Sequence, residues 1–118
     1  MKLNIFFFSM FLLYAATSFA TPPSDMSLTY DKEKNIVHVS AKHPSGRLER
    51  HYVRRLVIYK NDGPVETLNF PRQKLAAGLE EDIELKAGPG DRISIEAFCS
   101  QGGSGKAQIE IPQDKPEG

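Results

Sequence analysis

Arg92-Ile93-Ser94-Ile95-Glu96-Ala97-Phe98-Cys99 decides the fold, because apolar side chains recur in it at every second position. A period of two puts Ile93, Ile95, Ala97 and Cys99 on one face of a β-strand and Arg92, Ser94, Glu96 and Phe98 on the other. A helix would scatter the same four inward residues around its circumference. Gly88-Pro89-Gly90-Asp91 before the run is a tight turn, and Gly102-Gly103-Ser104-Gly105 after it is a flexible one. The result is a strand bounded at both ends, with a cysteine as the last residue of its inner face.

Working outward, residues 106–111 alternate again, with Ala107, Ile109 and Ile111 inward, and residues 81–86 do so with Ile83 and Leu85 on one face. Upstream, 27–30 is a short strand candidate, followed by a charged turn. Residues 35–41 carry the β-branched Ile36, Val37 and Val39. The longest candidate is 51–60; Asn61-Asp62-Gly63 closes it with hairpin chemistry, and 64–69 returns. Residues 71–78 form a less regular connection with room for one helical turn. There is no internal repeat and no convincing helix. The pattern predicts an all-β fold, an immunoglobulin-like β-sandwich of about seven antiparallel strands, with a small barrel as the alternative. Its expected core holds Ile83, Leu85, Ile93, Ile95, Ala97, Ile109 and Ile111.

Residues 1–20 read as a secretory signal peptide. Lys2 precedes an apolar run containing Phe6, Phe7, Phe8, Phe11, Leu12 and Leu13, and the run ends in Thr17-Ser18-Phe19-Ala20. Ser18 and Ala20 are small where signal peptidase requires it, and Pro22-Pro23 cannot continue a helix. The run is shorter than the roughly 20 residues that span a bilayer. No cysteine follows the cut, so no lipid anchor is expected. The expected product is exported, periplasmic or secreted, with a domain over 21–111 and a Pro-rich, frayed tail over 112–118.

The whole chain has 15 basic and 15 acidic residues, and loss of Lys2 leaves a net of −1. Phosphate neutralisation needs a clustered positive excess, so a nucleic-acid partner is excluded. The local run Arg47, Arg50, Arg54, Arg55 reads as solvated strand and loop charge. Small exported domains are often stapled by disulfides, yet the sequence has one cysteine, Cys99. Such a residue packs as a small hydrophobe, bridges to another molecule, ligates a metal or reacts.

The histidines are His38, His43 and His51. Nothing resembles a hydrolytic triad. The glycine-rich stretch before Lys106 lies between two strands instead of opening a helix, so it fails as a phosphate loop. Two segments carry metal chemistry. His43-Pro44 lies on a loop, and Glu49-Arg50-His51-Tyr52-Val53 brings a second histidine to the start of the next strand. The other segment, from Ala97 to Ala107, places Cys99 at a strand end beside an accessible loop. A strand-end thiolate between two loop-borne imidazoles suits iron or copper. His38, on a strand among charged and apolar neighbours, reads as solvated.

These segments resemble the iron-binding domain of desulfoferrodoxin and neelaredoxin, the superoxide reductases. In that family two ligating histidines lie in His-Pro, a few residues, then Glu-His-Tyr-Ile; His43-Pro44 and His51-Tyr52-Val53 are similar. The axial cysteine and a last histidine come from Ala-Tyr-Cys-Asn-x-His-Gly-x-Trp-Lys-Ala. The stretch here has the same length and matches at Ala97, Cys99, Gly103, Lys106 and Ala107. The resemblance implies a seven-stranded immunoglobulin-like domain, mononuclear iron held by four equatorial histidines and one cysteinate, superoxide reduction at the sixth position, and a redox donor protein as partner.

The chain departs from that pattern. Gly102 stands where the last histidine is expected, and no histidine lies between Thr21 and Asn35. The loop between His43 and His51 is also longer than the family's. The metal ligands the resemblance leaves are His43, His51 and Cys99, so the expected function is an exported superoxide-reductase-like iron-binding domain with weak or no catalysis. The chain also resembles the Z subunit of the sulfur-carrier complex of thiosulfate oxidation, through an early His-Pro and Gly90-Asp91-Arg92-Ile93-Ser94-Ile95. That alternative implies a metal-free periplasmic binding module with a sulfur-oxidation partner.

Overall fold

The computed structural model describes residues 21–113, so the signal peptide expected over 1–20, and all of the tail beyond 113, lie outside the described residues. Seven strands follow one another: β1 (Ser24–Asp31), β2 (Ile36–Lys42), β3 (Val53–Lys60), β4 (Gly63–Asn69), β5 (Gly78–Glu84), β6 (Arg92–Cys99) and β7 (Ser104–Glu110). They form a three-stranded sheet, β1-β2-β5, facing a four-stranded sheet, β4-β3-β6-β7. All pairings are antiparallel. Two separate sheets dispose of the barrel, and the β-sandwich stands.

Strand β6 alternates between half-buried and buried along its whole length, as its period of two requires. Strand β2 does the same with Val37, Val39 and Ala41 inward. Val37, Val39, Leu56, Ile58, Ile93 and Ile95 meet between the sheets at near-zero exposure. Of the expected core, Ile83, Ile93, Ile95, Ala97 and Ile111 are buried, while Leu85 and Ile109 are half-buried and pack against its rim.

Three features of backbone geometry shape the end of the sandwich where β2 and β6 finish. Strand β3 starts at Val53 and not at residue 51, because a turn takes His51: its N–H donates to Arg47 O at 2.8 Å. A bulge between Val53 and Arg55 then leaves Arg54 unpaired against β6. One extra residue restores the inward phase at Leu56, so Val53 also points inward, opposite Cys99. Arg54 and Arg55 consequently share the outer face, with guanidiniums 5.6 and 5.4 Å from the Phe98 ring centre.

The third feature is Gly78, at φ 154°, where a Cβ would lie 2.0 Å from Ala41 O and 2.9 Å from His43 N. Only glycine lets the β4–β5 connection lie this close to the end of β2. That connection holds no helix. It is irregular, closed by a single bridge between Leu75 and Gly78. The remaining hairpin reads as expected: Asn61 and Asp62, both at positive φ, form a two-residue turn between paired Lys60 and Gly63. Among the described residues no helix is long and apolar enough to cross a membrane.

Candidate metal centre

Strand direction decides which loops meet. Strands β2 and β6 end, and β3 and β5 begin, at the same end of the sandwich. The β2–β3 loop, the β4–β5 connection and the β6–β7 turn therefore cluster there. His43 lies one residue past β2, His51 two residues before β3, and Cys99 is the last residue of β6.

Backbone hydrogen bonds hold these segments together. His43 N–H donates to Ala77 O and Ser45 N–H to Ala76 O, both at 2.9 Å, which seats the β2–β3 loop on the β4–β5 connection. Ser100 fastens the other side. Its N–H donates to Tyr52 O at 2.8 Å, its Oγ donates to Arg50 O at 3.1 Å, and Tyr52 N–H donates to its Oγ at 3.1 Å. The residues flanking His51 and Cys99 are thus directly bonded to each other.

The structure brings His43, His51 and Cys99 together: one donor atom from each lies within 4.8 Å of the others. The two imidazoles meet edge to face, with centres 4.6 Å apart. His43 is 0% exposed and Cys99 1% exposed, while His51 is half-buried. The Nε2 atoms of both histidines are buried and have no hydrogen-bond partner. An unpaired buried polar atom costs on the order of 1–3 kcal/mol, and here two of them belong to histidines grouped with a buried thiol.

Gln73 explains which nitrogen of His43 is available. Its Nε2 donates to two carbonyls, His43 O and Leu75 O, each at 2.8 Å. Carbonyls only accept, so the amide orientation is fixed and Oε1 faces the other way. There it accepts from Val53 N–H at 3.1 Å and from His43 Nδ1 at 2.8 Å. The proton of the His43 ring therefore sits on Nδ1, and Nε2 presents its lone pair. An orienting hydrogen bond of this kind is what a metal-ligating histidine makes with its second nitrogen. Beside the cysteine, Gln101 N–H donates to Cys99 Sγ at 3.4 Å, and Gly102 and Gly103 adopt positive φ to close the turn.

His38 stays apart, as read from the sequence. It is exposed on β2, pairs with Asp82 through Nδ1 and lies 3.3 Å from Glu80 through Nε2. The Asp82 hydrogen bond raises its pKa above the ordinary histidine value. Gln73 is the site residue that sequence reasoning missed, since one polar residue in an irregular connection carries no spacing signal. The expected basic run is partly solvated: Arg47 and Arg50 are exposed, whereas Arg54 and Arg55 are half-buried beside Phe98. An open groove on the outer face of the four-stranded sheet, between Tyr59, Glu96 and Lys106, gathers no comparable set of donors.

No family profile matches the chain, and no curated protein matches it. Solved structures do. The superoxide reductase (neelaredoxin) from Ignicoccus hospitalis aligns at TM-score 0.52 and 16% identity, over 80% of this chain and 81% of its own. Two substituted forms of that protein align at TM-score 0.54 with 15% identity and at 0.52 with 18% identity. The first covers 80% of this chain and 83% of that one, the second 87% and 86%. At such identities the likeness is one of fold: this chain has a neelaredoxin-like β-sandwich with a His/Cys cluster at one end.

Proposed function

We propose that the protein is an exported, neelaredoxin-like domain that holds a single transition-metal ion through His43, His51 and Cys99. The observation that carries this reading is the pair of buried, unpartnered Nε2 atoms on two histidines that cluster with a buried thiol. Metal–ligand bonds of about 2.0–2.3 Å let donors no more than 4.8 Å apart reach one ion after small side-chain rotations. A bound redox-active metal would supply one-electron exchange, with a donor protein as the partner.

The chain's own residues bind, orient and shield. Gln73 holds the His43 ring with Nε2 outward from its tether. Ser100 ties the His51 loop to the Cys99 strand end. Val53, paired with Cys99, and Ala97, on the same inner face of β6, are buried core residues.

The donor set does not fit the five-ligand iron centre that the resemblance implies. Three donors are present, and no fourth histidine or carboxylate joins them among the described residues. At position 102 the backbone has φ 114°, where a histidine would be strained, so that ligand is replaced by turn geometry and is not merely missing. Superoxide reduction is accordingly expected to be weak or absent. The metal-free sulfur-oxidation module receives no support from the structural neighbours and leaves both orphaned nitrogens without an explanation.

Elemental analysis of the exported protein, purified without a metal-affinity tag, tests the proposal. One transition metal per chain is expected, falling to a trace in Cys99→Ala. A metal-free protein that stays metal-free when offered copper, iron or zinc rejects it. Intact mass of the same material should lack residues 1–20; retention of that segment in a membrane fraction rejects the export half.

A further inference from the structure

We infer that the ion held by His43, His51 and Cys99 is copper, bound by three protein donors: two imidazole nitrogens and one thiolate. This rests on the metal-site reading above and adds the identity of the metal. The argument is one of donor count, softness and closure. The cluster holds two imidazoles and one thiol, fewer nitrogen donors than the resemblance implies for iron. Zinc takes four ligands, and a site with three protein ligands keeps a fourth position for water. Here no carboxylate or further histidine lies with the cluster among the described residues. His43 at 0% and Cys99 at 1% exposure keep water from two of its three donors.

A trigonal set of two histidines and one cysteine is the arrangement that suits copper. Its thiolate favours the soft cuprous ion, and the Irving–Williams order places cupric copper above iron and zinc. The Gln101 N–H directed at Cys99 Sγ gives the sulfur a hydrogen bond, which in such sites tunes the reduction potential. A sandwich of two sheets also holds its loops stiffly. The β2–β3 loop that carries both His43 and His51 is bonded to Ala77 at one end and Ser100 at the other through backbone groups, so the ligands need not be gathered by the metal.

The test offers metal-stripped full-length protein equal amounts of Cu(I), Fe(II) and Zn(II) under anaerobic conditions, read by native mass spectrometry. One copper per chain is expected, with occupancy at least tenfold above iron or zinc. Ferricyanide should then take one electron from the cuprous ion, giving cupric protein and ferrocyanide. The cupric form should show an intense visible sulfur-to-copper charge-transfer band. Cys99→Ser, which keeps the side-chain shape, should lose the band and at least tenfold in copper affinity, while His38→Ala should keep both. Preferential uptake of iron or zinc overturns the copper assignment and leaves the three-residue site standing. Failure to bind any of the three metals overturns the site itself. Copper that is lost with His38→Ala and retained in Cys99→Ser belongs to the outer face of β2 and overturns the assignment as well.

Discussion

The two ends of the sandwich are built on opposite rules. At one end, where β1–β2, β3–β4 and β5–β6 connect, side chains tie off the turns. Tyr30 Oη donates toward Leu85 O at 2.9 Å and accepts from Ala87 N–H at 3.0 Å. Asp91 accepts from Asn61 Nδ2 and Gly88 N–H, each at 2.9 Å, and Asn61 Oδ1 accepts from Arg92 N–H at 2.8 Å. At the other end the backbone is equally well bonded, but two imidazole nitrogens are buried without partners. The first end spends its polar groups on holding the fold together. The second leaves two of them unpaired, at a cost in stability, and on the proposed reading that asymmetry separates a metal-binding end from a structural one.

The largest expected effect is on the free end. If its unpaired atoms await a metal, then the ion found by elemental analysis should stabilise the protein strongly. At a free concentration a thousandfold above its dissociation constant, the gain is about 4 kcal/mol. Urea melts with and without metal would measure it, and Cys99→Ala should remove the gain. Equal melts for both proteins would break the comparison.

Next comes Gln73→Leu. It unpairs Val53 N–H, the carbonyls of His43 and Leu75, and His43 Nδ1. Roughly 3 kcal/mol of stability should go, on the scale of about 1–3 kcal/mol for a buried unsatisfied group. Metal affinity should fall by about 10–100-fold, as for other orienting partners. Loss of stability with unchanged affinity would reduce Gln73 to a structural residue.

Much of this was legible in the sequence, and the missing parts share a cause. The inward phase of Cys99 followed from a period of two in β6, and the histidines were visible as metal-capable residue types. What stayed hidden depends on residues far apart in the chain. The Arg54 bulge shows only against its partner strand, and the Gly78 approach needs Ala41 beside it. Gln73 acquires its role from four groups spread between residues 43 and 75. The periodic run 51–60 overruns β3 by two residues for the same reason, since the Arg47 carbonyl that holds His51 in a turn leaves no periodic trace.

At the structural end the effects should be smaller and should not reach the metal. Tyr30→Phe removes a hydroxyl shared by Leu85, Asn35 and Ala87. About 1 kcal/mol should be lost, with metal affinity unchanged; a shift in affinity would mean that the two ends are coupled. The smallest effect is pH-dependent. The Gly88 N–H, and then Asn61, hold the Asp91 carboxyl below its ordinary pKa of 3.8. A depressed folded-state value means that its contribution is complete above about pH 4 and is lost as pH falls through the depressed value. Asp91→Asn should lower stability slightly at neutral pH, where that contribution is present, and leave the acid end nearly unchanged, so that the acid limb flattens. An unaltered acid limb would assign it to other carboxylates.

X-ray absorption at the edge of the bound metal addresses the central claim most directly, because it reads the atoms around the ion. The account predicts one sulfur at about 2.2–2.3 Å and two imidazole nitrogens at about 2.0–2.1 Å, with the sulfur shell absent from Cys99→Ser. A first shell of nitrogen and oxygen alone in the unsubstituted protein would contradict it.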